Sequence, residues 1–383
     1  MHPAIMRHGL SLAALCAAAL LAGCASGKAE AEAEAIRVAA EAAALAARTP
    51  PAISLNEGVA RDAAVYLAFA RDLATLRGGF ESPEAIQAAL RKGSAYDPGQ
   101  ISRGMVAYAS IVALQSPDFV AGVNQYGVNP AGRQKMIADI VADPRTASYL
   151  PGADVAAGLI MAALDVDIDA LSAAANSIEN DAYAIQADGR RTWAIAHITD
   201  REARLASAKA LSGQPMSPSP AETARLFAAA NGGSGLGVSA GRRRLPAFPP
   251  VVTNALALAA LAALGAGGED AHANTVALQS EPTSRNCLNE SKLNLYQCLA
   301  ASRPSYEDMF CVGRHIVRDL ATCTRAAALP AATVTVSDVV PVDDAPPIIV
   351  TIPLDPPRRS PVSPTEQLNI GTVMTVPQGQ SGD

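Results

Sequence analysis

A-D-V-A-A-G-L-I-M-A-A-L-D-V-D-I-D-A-L-S-A-A-A-N-S-I-E-N-D-A-Y-A-I-Q-A, residues 153–187, decides the fold class of this chain. Val155, Leu159, Ala163, Val166, Ala170, Ala174 and Ile178 recur there at near-helical spacing, which predicts one long amphipathic helix. Upstream, from Asn56, the same periodicity returns in shorter pieces. Val65, Leu67, Phe69, Leu73 and Leu76 make an apolar stripe that Gly78-Gly79 stops. Further helices are expected at about 83–92, 100–115, 117–125 and 130–142, punctuated by Asp97-Pro98-Gly99, Ser116-Pro117, Asn129-Pro130 and Asp143-Pro144. Asn56-Glu57 and Ser82-Pro83-Glu84 are start signals, a polar cap followed by Pro or an acid in the first turn. Downstream, 190–211 reads as a second long helix carrying Trp193, Ile195, Ile198 and Leu205.

Composition agrees. The chain has 383 residues, 50% hydrophobic, 17% charged and 4% aromatic, so it has ample apolar content for a core and cannot be disordered throughout. Ala-rich, β-branched-poor sequence favours helices over sheets. A formal charge of −6 argues against a broad basic surface, so no nucleic-acid partner is expected.

Residues 212–250 gather Ser, Pro and Gly and read as a flexible linker or loop, with room for a short helix at 220–230. The apolar run Val251 to Leu264 would span about 20 Å as a helix, short of a bilayer core, and reads as a buried core helix. Beyond it lie Cys287, Cys298, Cys311 and Cys323, on two helical segments at about 285–301 and 305–327 around Ser302-Arg303-Pro304-Ser305. Cys298 and Cys311 stand at similar distances either side of Pro304, and so do Cys287 and Cys323. An antiparallel hairpin therefore brings them together as nested disulfides, Cys298–Cys311 inside Cys287–Cys323. Cysteines 11 or 12 apart on one helix are about 16–18 Å apart, too far to bridge. From Leu329 the chain turns Pro-rich without an aromatic, and a disordered tail over 329–383 is expected. Within it, Thr333–Val336 and Ile348–Ile352 have strand chemistry and could add to a partner's sheet edge.

The N-terminus speaks of an address. Arg7 is followed by an uncharged run, Leu10 to Leu20, and then Leu21-Ala22-Gly23-Cys24. These residues resemble the signal peptide of bacterial lipoproteins, with its lipobox. The resemblance implies cleavage after residue 23, a diacylglycerol thioether and an acylated amine on Cys24, and a stable anchor from several acyl chains. Ala25 in place of Asp implies outer-membrane sorting within that family, with the body facing the periplasm. An exported chain meets oxidising conditions, which suits the disulfides. Residues 24–52, with their Ala/Glu alternation, read as a solvated, partly helical stalk ended by Thr49-Pro50-Pro51.

Candidate chemistry is thin. Gly237-Val238-Ser239-Ala240-Gly241 matches the nucleophile-elbow pattern, but its flanks supply no strand and helix. Asp165, Asp167 and Asp169 open like a calcium loop, yet Ala170 and Asn176 occupy the positions where Gly and a carboxylate are needed. They read as a solvated helix surface. Trp193, His197 and Arg201 at i, i+4, i+8 read as a packed Trp with a charged rim ahead of a binding patch. Cys311 and His315 have thiolate–imidazole spacing, but a disulfide consumes the thiol. No C-x-x-C or H-E-x-x-H occurs, and the lytic transglycosylase motifs are missing, so no metal site, cofactor or catalytic residue is expected.

The sequence therefore predicts an all-α, irregular multi-helix bundle. The helical domain spans 53–211, and 251–328 adds the apolar helix and the disulfide-stapled hairpin. Function is expected to be that of a non-enzymatic cell-envelope lipoprotein: a scaffold, adaptor or accessory factor. It would contact the membrane through its lipid and an envelope protein or peptidoglycan through its body. The alternative is an envelope hydrolase whose site the sequence hides. A buried carboxylate with a raised pKa in the 56–211 body would favour that alternative.

Overall fold

Ser82, Asp97, Ser116, Asn129 and Ser219 each accept a hydrogen bond from a backbone N–H in the first turn of the helix they precede. A Pro follows each of them. The side-chain oxygen satisfies an orphan donor, and Pro presets φ where no N–H is needed. This repeated device cuts the chain into helices. A computed structural model describes residues 26–46, 49–233, 235–239, 241–331, 333–335 and 349–351. The described helices are α1 (Ser26–Ala46), α2 (Glu57–Ala74), α3 (Pro83–Ser94), α4 (Pro98–Ala113), α5 (Pro117–Gly127), α6 (Pro130–Ala142) and α7 (Ala153–Ala184). They continue as α8 (Arg201–Ser212), α9 (Pro220–Gly232), α10 (Pro250–Ala263), α11 (His272–Gln279), α12 (Pro282–Ala301), α13 (Ser305–Val312) and α14 (Asp319–Ala328). The body is all-α.

Helix α4 lies at its centre, packed between α2, α10 and α7, with Met105 to Leu114 buried throughout. Gly104 makes this possible: a Cβ there would stand 2.4 Å from the Asp62 carbonyl oxygen of α2. Helix α10 is buried at Val251, Val252 and from Ala255 to Ala263, as its apolar run demands. No single helix among the described residues is long and apolar enough to cross a membrane. Helices from 53–211 and from 251–328 contribute to one core.

Two local expectations give way. The buried face of α7 runs through Leu159, Leu164, Ile168, Leu171, Ala175 and Ile178, whereas Val166 is exposed. The expected stripe drifts because its steps, four residues in all but one case, overshoot the 3.6 residues of a helical turn. Residues 190–211 are not one helix. A 3₁₀ turn at Thr192–Ile195 leads into an extended stretch, where His197 bridges Pro304 and the Ile198 N–H donates to the Arg303 carbonyl at 2.8 Å. Only then does α8 begin. Pairing with the hairpin turn satisfies this backbone without helical bonds.

The expected linker at 212–250 is tied to the body at its centre. Helix α9 packs on α2 through Leu226 and Ala230, while Gln100 and Met216 exchange hydrogen bonds of 2.8 and 2.9 Å. The stalk is continuous helix from Ser26 to Ala46, with residues 31–41 exposed on every side. In the tail, Thr333–Thr335 (β1) pairs antiparallel with Ile349–Thr351 (β2), so the two strand-like patches offered to a partner's sheet meet each other. The remainder of 329–383 that was expected to be disordered lies, after Ala331, outside the described residues.

Candidate functional site

The hairpin forms as expected. Cys287 bonds Cys323 and Cys298 bonds Cys311, with Cα atoms 5.6 and 5.8 Å apart. Helix α12 stops at Ala301 before Arg303-Pro304, which leaves its last carbonyls without helical partners. Helix α8 supplies them. Arg201 donates from Nε to the Ser302 carbonyl at 2.8 Å and from Nη2 to the Ala300 carbonyl at 2.6 Å. Arg204 donates to the Leu299 carbonyl and, through Nη1, to both oxygens of Asp308 at 2.5 and 2.6 Å. The side chains of Arg204 and Asp308 are 4% and 0% exposed. Ser302 Oγ (2.6 Å) and Gln87 Nε2 (2.8 Å) complete the shell around Asp308.

Beside this knot lies a small recess of about 60 Å³ between α3 and α8, lined by Gln87, Leu90, Arg91, Ser94, Arg204, Ser207 and Ala208. Arg204 Nε has no partner, and Arg91 has no ion-pair partner among the described residues. Close by, Lys292 Nζ donates to the Ser94 and Ser212 carbonyls at 3.2 and 3.5 Å, capping α3 and α8 together. It lies 4.0 Å from the Tyr96 ring centroid. Burial pushes this ammonium down to about 8, with Asp97 opposing the shift. The arrangement binds helix ends; its charges are consumed by structure.

A second buried cluster involves α2, α4, α7 and α14. Asp167 Oδ2 is buried without a hydrogen-bond partner, and the Tyr66 and Thr324 hydroxyls are buried in the same cluster. Burial raises the Asp167 carboxyl to about 6, with Arg71 opposing. Burial raises the Tyr108 hydroxyl to about 12, helped by the Asp167 charge. Asp165 and Asp169 instead reach Arg325 at 3.7 and 3.6 Å. The expectation of a solvated surface therefore fails for Asp167, which the helix turns inward. A carboxyl raised from 3.8 to about 6 holds its proton more tightly folded than unfolded. Stability is then greatest below about pH 4 with respect to this group, and falls as pH rises through 6. Asp167→Asn is expected to stabilise the protein by about 1–3 kcal/mol at pH 7 and by almost nothing near pH 4. Urea unfolding at both pH values measures the difference; an equal effect at the two would remove the titration argument.

Other residues singled out by sequence fall apart in space or in role. Cys24 lies outside the described residues. Trp193 packs partly buried on the core, His197 is exposed in the extended stretch, and Arg201 caps α12, so the three share no helix face. Ser239 is exposed in a loop that Gly237 turns at φ +64°, without the strand and helix an elbow needs. His315 sits in a π-helical turn, Gly313–Arg318, with Nδ1 3.3 Å from Asp319 Oδ2. No group of metal-ligating side chains occurs among the described residues. In comparisons with family models, curated proteins and solved structures, nothing matches this chain.

Proposed function

We propose that this protein is a lipid-anchored adaptor of the cell envelope, held by acylated Cys24 and presenting its helical body to an envelope protein. One observation carries the reading. The buried charges at this corner, Arg204, Asp308 and Lys292, serve helix ends or one another, whereas apolar side chains point outward beside the hairpin. Tyr183 is 64% exposed and meets Phe310 edge-on at 5.9 Å between ring centroids; Ile195 is 54% exposed on the turn that packs against α13. Exposed aromatic and aliphatic groups grouped around a rigid, disulfide-stapled corner suit a docking surface. The bare helix α1, about 31 Å long, suits a spacer between lipid and body.

The experiment has two readouts. Cys24→Ser is expected to shift the protein out of the tightly membrane-bound fraction, and a photo-crosslinking residue at Tyr183 is expected to capture one discrete envelope protein. Retention of a mature-sized Cys24→Ser protein in the membrane removes the lipid as main anchor. Absence of any discrete adduct at Tyr183 removes the docking surface. An envelope hydrolase is the second reading, and Asp167 alone favours it, as a carboxylic acid poised near neutral pH. Turnover of an envelope polymer that Asp167→Asn abolishes would decide for it.

A further inference from the structure

We propose that the loop at residues 242–247 is a second membrane contact, docking on an anionic lipid surface through Arg242, Arg243, Arg244 and Leu245. In a chain of formal charge −6, three consecutive Arg side chains are exposed here, and Leu245 after them is 82% exposed. The base of the loop is fixed. A Cβ on Gly241 would stand 1.9 Å from the Gly158 carbonyl oxygen, and one on Gly158 would stand 2.1 Å from the Arg242 carbonyl oxygen. Two glycines thus let loop and α7 backbones touch. The Arg244 N–H donates to the Asp154 carbonyl at 3.0 Å.

This fixed position is electrostatically unfavourable for the protein alone. The backbone of Arg242 and Arg244 lies against the first turns of α7, so the three Arg are carried near the positive end of its dipole. Among the described residues, the one ion pair the loop makes is Arg243 to Asp154 at 3.4 Å, with Arg243 still 73% exposed. Like charges held together, with one weak internal counter-charge, call for an external anion. The apolar neighbours select among anionic partners. Leu245 projects from the loop, and Tyr149, 74% exposed, stands just before α7. A polyanion offers these side chains nothing, whereas a headgroup–acyl boundary buries them.

The contact rests on the acyl anchor proposed above, and the geometry allows both at once. Pro51, at the root of the stalk, packs at Gly265, and α10 separates that point from the loop by about 20 Å. The stalk helix is about 31 Å long, so lipid and loop can reach one surface.

The test reconstitutes the full acylated protein in vesicles of phosphatidylcholine, alone or mixed with phosphatidylglycerol. Leu245→Cys carries a nitroxide, and its collisions with oxygen and with a water-soluble nickel complex report depth. Lipid contact is expected only in the anionic vesicles, and it should be lost in high salt. Replacing the three Arg by Gln should lower it by about 100-fold, from about fivefold per charge. Co-flotation with the vesicles reports the acyl anchor separately, and its failure would count against the anchor and not the loop. A label that stays in water with both lipids overturns the proposal. So does equal contact with neutral vesicles, or immobilisation by soluble heparin with no vesicle effect, which would assign the loop to an anionic polymer.

Discussion

Asp308→Ala is expected to cost about 3–5 kcal/mol of folding free energy, because it strands a buried guanidinium. Arg204 keeps only the Leu299 carbonyl as acceptor, since its Nε already lacks a partner. Gln87 Nε2 loses its acceptor at the same time, and Ser302 Oγ is left with the Leu299 carbonyl alone. Arg204→Ala should cost a similar amount by leaving Asp308 charged and buried with two neutral donors. The paired replacement Arg204→Met with Asp308→Leu should recover most of the loss, since well-packed apolar groups avoid the desolvation penalty altogether. The recovery will be incomplete by about 1–2 kcal/mol if the cap on α12 matters on its own. Urea unfolding of these proteins measures the costs, and making Arg204→Met and Asp308→Leu singly as well closes the cycle that gives the coupling energy. A single-substitution cost below about 1 kcal/mol would mean that water reaches this pair and the corner is not sealed.

That strut was invisible in the sequence, and the reason is physical. Arg204 and Asp308 lie 104 residues apart, each on a helix whose local pattern gives no sign of the other. Local chemistry was legible: the polar-residue–Pro starts placed α3, α4, α5 and α6 almost to the residue, because a cap and its orphan N–H are three residues apart. The disulfide pairing was legible too, because Pro304 marks the turn and fixes which cysteines face each other. The inner face of α7 was read out of phase because Ala is compatible with both faces. Val166 was counted inward and is outward, while Leu164 and Leu171 do the packing. Residues 190–211 lost their helix to a long-range backbone pairing, Ile198 with Arg303, which no periodicity announces. Gly241 was read as part of an elbow motif; its actual demand is room for the Gly158 carbonyl, and a close approach leaves only the Gly itself in sequence. Asp167 parts from Asp165 and Asp169 because a two-residue step turns about 200° around a helix, so alternating carboxylates cannot all face solvent.

Removing the outer disulfide, Cys287→Ala with Cys323→Ala, is expected to cost about 4 kcal/mol, and removing the inner one, Cys298→Ala with Cys311→Ala, about 3 kcal/mol. The sequence separations are 36 and 13 residues, and the longer closed loop removes more entropy from the unfolded chain. Because the bridges are nested, each single loss is measured while the other bridge still shortens the loop, so removing both should cost slightly more than the sum of the two single losses. The native environments push in the opposite direction. Cys311 is fully buried three residues from Asp308, and Cys298 sits one residue before Leu299, whose carbonyl Arg204 caps. The inner bridge therefore pins the same corner as the buried ion pair, and its removal loosens packing there as well as lengthening a loop. Combining the inner-pair substitution with Asp308→Ala should cost less than the two separately, because either change already opens the corner. The outer bridge, joining α12 to α14, lies away from Asp308 and should combine with that substitution additively. If the inner pair costs more than the outer, packing at the corner outweighs loop closure, and the chain-entropy account of this hairpin fails.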